Sequence, residues 1–189
     1  MAALDDVRAQ IDELDSQIRE LLMRRMDCSE QVAAAKLAAG STEVYRAERE
    51  AQILERLGAQ VPSERRAPYL AAVRKLIECS RSYQYALMYA QLGDAATAGQ
   101  LPGAELLQGS GSKVELELTR ADEPGALATA LGFVAERGVR VLALEQLGPV
   151  EGGTRYRLEL GASPADPRLR CLLWQLAKES CSLRVTAVR

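Results

Sequence analysis

The sequence predicts a protein of two domains, an all-helical first half and an α/β second half. Apolar residues recur three and four positions apart near the N-terminus, residues 93–112 are rich in Gly, Ala, Ser, Thr and Gln, and apolar and polar residues alternate from Val114 onward. The first spacing is typical of a helix and the alternation of a strand. We therefore place domains at 1–92 and 113–189, with a flexible linker, 93–112, between them.

The first helix is predicted from a stripe of apolar side chains that repeats in a three-four rhythm. Its members are Leu4, Val7, Ile11, Leu14, Ile18 and Leu21. They share one face of a long helix, which needs a packing partner. Good helix formers continue to Leu37, and Gly40-Ser41-Thr42 then supplies a stop.

Two further helices follow, at 43–57 and 64–92, with Pro62-Ser63 as the break between them. Pro68 falls in the first turns of the third helix, where a proline is tolerated. The first domain is therefore expected to be a three-helix, all-α domain.

The second domain reads as strand, helix, strand, strand, helix, strand. Strands are predicted around Val114 to Thr119, at 139–147, at 154–160 and around Leu183 to Ala187, and helices at 124–137 and 166–180. The order βαββαβ is that of a ferredoxin-like α/β sandwich.

Composition narrows the chemistry. The 189 residues include no histidine, so a Ser-His-Asp or His-based metal mechanism is excluded within one chain. The four cysteines form no CxxC pair, and we expect no metal, no cofactor and reduced cysteines that serve packing. The 24 basic and 26 acidic residues form no run of one sign, which argues against nucleic acid as a partner.

Nothing in the sequence suggests a membrane protein. No apolar stretch approaches the ~20 residues that span a bilayer. Asp5 and Asp6 stand where a signal peptide would carry positive charge. We expect a cytoplasmic protein with no membrane partner.

Cationic side chains lie on the predicted helix faces that would otherwise be buried. Continuing the stripe of the first helix brings Arg25 onto its seam, and Lys36 follows on nearly the same side, with the two Cα atoms about 16 Å apart. Two desolvated cations on one face repel unless an anion joins them, which favours a small anionic ligand. Arg8 lies about 25 Å from Arg25 along the helix, too far to share that ligand. An antiparallel dimer would bring Arg8 of one chain to Arg25 of the other.

The third helix presents Ser80 and Gln84 on one face, and the complete spaced pattern resembles a known family. The segments concerned are Arg8-Ala9-Gln10-Ile11-Asp12-Glu13-Leu14-Asp15, Leu21-Leu22-Met23-Arg24-Arg25, Ala33-Ala34-Ala35-Lys36, Arg49-Glu50 and Ser80-Arg81-Ser82-Tyr83-Gln84. Over residues 4–89 they resemble the all-helical chorismate mutase domain of bifunctional bacterial chorismate mutase–prephenate dehydratases. Arg46 departs from the pattern, since the family usually has an aspartate four residues before the motif glutamate.

The resemblance implies an isomerase, an intramolecular transferase that rearranges chorismate to prephenate in aromatic amino acid biosynthesis, in an intertwined homodimer. It implies that Arg25 and the second chain's Arg8 bind the two carboxylates. Lys36 and Gln84 would donate to the ether oxygen, where negative charge grows. The remaining roles fall to Glu50 at the ring hydroxyl, Ser80 at the ring carboxylate, and Arg49 as support for the carboxylate end or for Glu50. The catalytic set is thus Lys36, Gln84, Arg25 and Glu50.

The second domain resembles an ACT domain, a module that senses small molecules. Asp122-Glu123-Pro124-Gly125-Ala126-Leu127 and Asp166-Pro167-Arg168 match its pattern. The resemblance implies allosteric binding of an aromatic amino acid such as phenylalanine through Gly125, Ala126, Leu127 and Glu145. The second family motif, Glu-Ser-Arg-Pro, reads Glu145-Gln146-Leu147-Gly148-Pro149 here. The dehydratase domain that normally separates the two modules is absent, because the linker has no room for it.

Three alternatives remain open. Isochorismate-pyruvate lyase shares the helical fold and a similar cationic pocket. A mutase domain without activity would serve as the scaffold of an ACT sensor. The ACT-like fold would also suit dimerisation alone.

Overall fold

The structure, a computed structural model, describes residues 3–97 and 99–189. The chain divides into two compact units, Met1–Met88 and Tyr89–Arg189. Helices form the first unit, and the second contains the element order βαββαβ. The predicted all-α and α/β fold classes are both confirmed.

The helices of the first unit are α1 (Leu4–Ala38), α2 (Ala47–Gly58) and α3 (Ser63–Leu92). At the end of α1, Gly40 has a φ of +68°. The Ser41 N–H donates to the Lys36 carbonyl at 2.9 Å, and the Gly40 N–H donates to the Leu37 carbonyl at 3.0 Å. This Schellman motif needs a left-handed residue, which glycine supplies without a Cβ penalty. It ends the helix at Ala38, two residues after Lys36.

The apolar stripe of α1 is uncovered in the single chain. Leu4 is 65% exposed, Ile11 50%, Ile18 56% and Leu21 61%. The buried apolar side chains of this unit come instead from the C-terminal part of α1 and from its neighbours, such as Ala33 and Ile77. Exposure of so many large apolar groups is costly, and covering the stripe would be favourable. The intertwined dimer remains a prediction.

The second unit is a four-stranded antiparallel sheet with two helices on one face. Its elements are β1 (Val114–Arg120), α4 (Ala126–Glu136), β2 (Arg140–Val150), β3 (Gly153–Gly161), α5 (Pro167–Glu179) and β4 (Ser182–Val188). The strand order is β2-β3-β1-β4, as in the ferredoxin-like fold. Leu116 of β1, Phe133 of α4 and Leu172 of α5 are fully buried in the core between the sheet and the helices.

The other face of the sheet carries cross-strand ion pairs. Arg157 of β3 lies 3.5 Å from a carboxylate oxygen of Glu117 and 2.9 Å from one of Glu145. Lys113 pairs with Glu159 at 3.0 Å. Partly exposed pairs of this kind stabilise by at most about 1 kcal/mol each. Their charged side chains make this face of the sheet polar.

The segment predicted to be a flexible linker, 93–112, has structure of its own. Short 3-10 helices span Gly93–Ala96 and Ala104–Gln108. Leu101 and Leu107 are buried in the core of the second unit. Burial of these two leucines explains why the segment differs from the predicted flexible linker. The apolar surface that they bury offsets part of the entropy lost when the segment folds. The domain limits at 92 and 113 stay a prediction.

Residues 3–97 and 99–189 contain no helix that combines the length and the apolar character that crossing a bilayer requires. Within the same residues, no group of three or more His, Cys, Asp or Glu side chains is placed to hold a metal ion.

Candidate active site

A cavity of about 360 Å³ lies within the first unit, between α1, the α1–α2 connection, α2 and α3. Among the described residues that line it, five are cationic and one is a carboxylate. These are Arg25, Lys36, Arg46, Arg49, Arg81 and Glu50. Such an excess of positive charge in a partly enclosed space attracts an anion.

Most of the residues predicted for the substrate site meet at this cavity. They are Arg25, Lys36, Arg49, Glu50, Ser80 and Gln84. Arg8 does not join them, because it lies on the exposed N-terminal part of α1 and pairs with Asp5 at 3.2 Å. The prediction had already excluded Arg8 from its own chain's site on grounds of distance.

Arg25 and Ser80 form one unit on the cavity wall. Arg25 Nη1 donates to the Ser80 hydroxyl and, at 2.9 Å, to the Leu76 carbonyl. Ser80 is buried, so α3 fixes the guanidinium of a residue on α1. A carboxylate bound here would meet a charged and a neutral donor at once.

Lys36 is half-buried and its ammonium donates to the Val44 carbonyl at 3.4 Å. Burial lowers the pKa of Lys36 below its ordinary value, and the nearby charge of Arg46 lowers it further, while Glu43 opposes the shift. Both lowering effects follow because a desolvated cation beside another cation loses its proton more readily. The protonated form of Lys36 is therefore disfavoured by its surroundings, and a nearby anion would stabilise it.

Glu50 is paired with Arg81, a residue for which the sequence analysis predicted no role. Arg81 Nη1 donates to Glu50 Oε2, and the guanidinium carbon lies 4.8 Å from the centre of the Tyr45 ring. Arg49 had been expected to support either Glu50 or the carboxylate end. The Glu50 ion pair goes to Arg81, and the second role for Arg49 stays a prediction.

A sequence signal for Arg81 existed. Val73, Ile77, Arg81 and Tyr85 are spaced by four on α3 and are all buried, so position 81 falls on the inner stripe of the helix. An arginine on such a stripe needs a buried partner.

Arg46, the departure from the family pattern, lies at the mouth of the cavity. Its side chain is 62% exposed and approaches Glu43 at 3.8 Å. It begins α2 as the residue whose carbonyl accepts from the Glu50 N–H at 3.1 Å. Arg46 thus points largely to solvent but still acts on Lys36 through its charge.

Gln84 brings an amide to the cavity. Its Oε1 is buried and has no hydrogen-bond partner. A buried amide oxygen without a partner is costly, so a ligand or a turn of the amide relieves it. Cys28 also lines the cavity and is exposed, whereas the sequence had suggested a packing role.

The predicted effector residues are separated between two faces of the second unit. Gly125, with a φ of +86°, precedes α4, and Arg120 Nε donates to the Ala126 carbonyl at 3.1 Å. Glu145 is opposite Arg157 in the sheet register and pairs with it on the face away from the helices. A joint site of Gly125, Ala126, Leu127 and Glu145 stays a prediction.

Comparison with known proteins gives one family match, and it lies within the first unit. Residues 7–85 match the family model described as chorismate mutase type II. No curated protein sequence matches the chain. A solved structure of prephenate dehydratase in complex with L-Phe from Arthrobacter aurescens is 24% identical, with a TM-score of 0.38; the match covers 40% of this chain and 26% of that one.

Proposed function

We propose that the protein rearranges chorismate to prephenate in aromatic amino acid biosynthesis, since residues 7–85 match the family model of chorismate mutase type II. The observation that carries this proposal is the single cavity that Arg25, Lys36, Glu50, Ser80 and Gln84 share. A dicarboxylate with one hydroxyl and one ether oxygen suits these donors and this acceptor.

The carboxylates are bound first. Arg25 with Ser80 offers a fixed donor pair for one of them. Holding both carboxylates folds the enolpyruvyl arm over the ring, so that the bond-forming carbons meet. Restricting a flexible substrate to its reactive conformer is worth several kcal/mol of the barrier.

Lys36 and Gln84 act on the ether oxygen. As the carbon–oxygen bond breaks, negative charge builds on that oxygen, and a donor aimed at it binds the transition state more tightly than the substrate. The protonated Lys36 supplies a charged hydrogen bond, and Gln84 donates through Nε2. The reaction is pericyclic, so no histidine, nucleophile or proton relay is needed.

The second carboxylate requires a second copy of the chain. The exposed stripe of α1 gives a surface on which two copies pack antiparallel, and Arg8 of one copy then reaches the cavity of the other. Burying the stripe removes apolar surface that the single chain leaves in water. In this proposal, the active site is complete only in the homodimer.

The C-terminal unit regulates the mutase in this proposal by binding an aromatic amino acid. The support is its ferredoxin-like fold and the ACT-like turn that contains Gly125, Ala126 and Leu127. Titration calorimetry with phenylalanine, tyrosine and tryptophan, followed by turnover at saturating effector, tests it. Absence of binding for all three would leave the mutase proposal intact and remove the regulatory one.

The activity is tested by following chorismate loss with purified protein and with Lys36→Ala and Gln84→Ala. We expect each change to lower kcat about a hundredfold or more, because each removes a donor to the growing charge. Lys75→Ala and Gln52→Ala, which lie outside the cavity lining, are the matched controls. Isochorismate is assayed in parallel, and pyruvate release from it without chorismate turnover would favour the lyase.

A further inference from the structure

We propose that Arg81 is a positioning residue, which holds one oxygen of Glu50 so that the other oxygen accepts the hydrogen bond from the ring hydroxyl of the substrate. This inference rests on the proposed function. It assigns a role to a side chain outside the predicted site and explains how the hydroxyl end works with Arg46 in place of an aspartate.

The environment of Arg81 fixes its guanidinium from two sides. Its side chain is 8% exposed, on the inner face of α3. Nη1 donates to Glu50 Oε2, and the ring of Tyr45 lies against the guanidinium at 4.8 Å. A planar cation between a carboxylate and an aromatic face has little rotational freedom. Arg81 therefore connects the α1–α2 connection, α2 and α3 at one point.

The partner of this ion pair is the acceptor of the site. Among the described residues lining the cavity, Glu50 is the single carboxylate, and its side chain remains 21% exposed. The ion pair engages Oε2, and in this proposal Oε1 accepts from the ligand. An ion pair that served only to stabilise the fold would not need one of its members to line a ligand cavity.

Glu50 needs such a restraint because cations surround it. Lys36, Arg46 and Arg49 line the same cavity. If the Glu50 side chain could rotate freely, it would pair with one of these cations. That pair would occupy both the carboxylate that accepts from the substrate and a cation that donates to it. The hydrogen bond from buried Arg81 favours one orientation of the Glu50 carboxylate. Glu50 therefore loses no further side-chain entropy when the substrate binds.

The expected kinetic signature follows from the chemistry of the hydroxyl. The ring hydroxyl takes no part in bond breaking, so its hydrogen bond is similar in the substrate complex and the transition state. Loss of such uniform binding raises KM and leaves kcat nearly unchanged. Loss of Lys36 or Gln84 is expected to do the reverse, which separates positioning from catalysis.

The test compares Arg81→Met, Arg81→Lys, Glu50→Gln and the double variant Glu50→Gln/Arg81→Met. For Arg81→Met we expect KM for chorismate to rise about tenfold or more, the effect of losing a hydrogen bond to a charged group, with kcat within about threefold of the parent. Arg81→Lys should recover part of the loss. In the Glu50→Gln background, removing Arg81 should add little. Arg74→Met, an exposed arginine on the same helix, is the matched control.

A chorismate analogue without the ring hydroxyl, used as a competitive inhibitor, sharpens the comparison. Its inhibition constant should be the same for the parent and Arg81→Met. A fall in kcat at unchanged KM, equal losses on both Glu50 backgrounds, or equal losses for substrate and analogue would each overturn the inference. If Arg81→Met does not fold, as judged by circular dichroism, the Arg81→Lys comparison decides.

Measurements on the parent protein distinguish a failure of the proposed function from a failure of the proposed role of Arg81. A parent that neither binds nor turns over chorismate overturns the proposed function and this inference with it. A parent with normal turnover, beside an Arg81→Met protein with unchanged KM, overturns the role of Arg81 alone.

Discussion

Lys36, in the last turn of α1, donates a hydrogen bond to the carbonyl of Val44 at 3.4 Å, across the connection to α2. This contact holds the ammonium at the cavity, where burial and Arg46 both lower its pKa. An anionic substrate would therefore stabilise the protonated ammonium of Lys36.

The first prediction concerns pH. Lys36 supplies a charged hydrogen bond only when protonated, so kcat/KM should fall as pH rises through a pKa that lies below the ordinary lysine value. Arg46→Ala removes a cation that lowers this pKa, and the fall should move to higher pH. Arg56→Ala, an exposed arginine on α2, should leave the profile in place. An alkaline limb that Arg46→Ala leaves unmoved would argue against Lys36 as its origin.

The second prediction concerns the amide. Gln84→Glu keeps the shape of the side chain, but the ionised carboxylate cannot donate and repels the charge on the ether oxygen. At neutral pH kcat should fall about a hundredfold or more, and it should recover toward acid pH as the carboxyl is protonated. Rate profiles of Gln84→Glu and the parent between acid and neutral pH test this. A pH-independent loss would contradict donation by residue 84.

The third prediction concerns the shared site. Arg8→Ala and Lys36→Ala proteins should each be nearly inactive, but a mixture refolded together should regain about a quarter of the parent activity, because half of its dimers are mixed and each has one intact site. Each variant refolded alone is the control. A mixture no more active than its components would exclude contribution of Arg8 across the dimer.

The fourth prediction concerns stability around Glu50. Arg81→Met leaves a largely buried carboxylate without its partner and should lower the free energy of unfolding by about 1–3 kcal/mol, reduced from the value for a fully buried pair because Glu50 is partly exposed. Adding Glu50→Gln should restore part of the loss, since the unpaired charge is removed. Urea unfolding of the single and double variants measures the coupling, and simple additivity would speak against the ion pair.

The fifth prediction concerns the segment before the sheet. Gly103 has a φ of +82°, and a Cβ there would lie 2.1 Å from the Val185 carbonyl oxygen. Gly103→Ala should therefore destabilise the second unit by about 2 kcal/mol or more, through strain and displacement of the segment. Gly93→Ala, with a φ of +55° and open space around its Cβ position, is the control and should cost about 1 kcal/mol. Equal effects would indicate that the segment does not pack as described.

The helical rise and periodicity sufficed to predict part of the site. Arg25 and Lys36 share one helix, so their common side followed from the number of residues between them. The spacing of Ser80 and Gln84 worked in the same way. The Arg81–Glu50 pair depends on how α2 packs against α3, which no local spacing determines. The resemblance drew attention to Ser80 and Gln84 and passed over the arginine between them.

The second unit shows the same limit. The alternation in Val114, Leu116 and Leu118 predicted β1 and its buried face, because strand periodicity is local. The short helices Gly93–Ala96 and Ala104–Gln108 were not predicted, because their positions depend on Leu101 and Leu107 reaching a core formed by distant residues. Composition alone cannot show such tertiary anchors.

Identifying the reaction product decides whether the protein is a chorismate mutase. Purified protein is incubated with chorismate in deuterated water, and the products are identified by nuclear magnetic resonance. The account predicts prephenate as the product, with no deuterium incorporated, at a rate that Gln84→Ala lowers about a hundredfold or more. Release of pyruvate, or chorismate loss no faster than without protein, would contradict it.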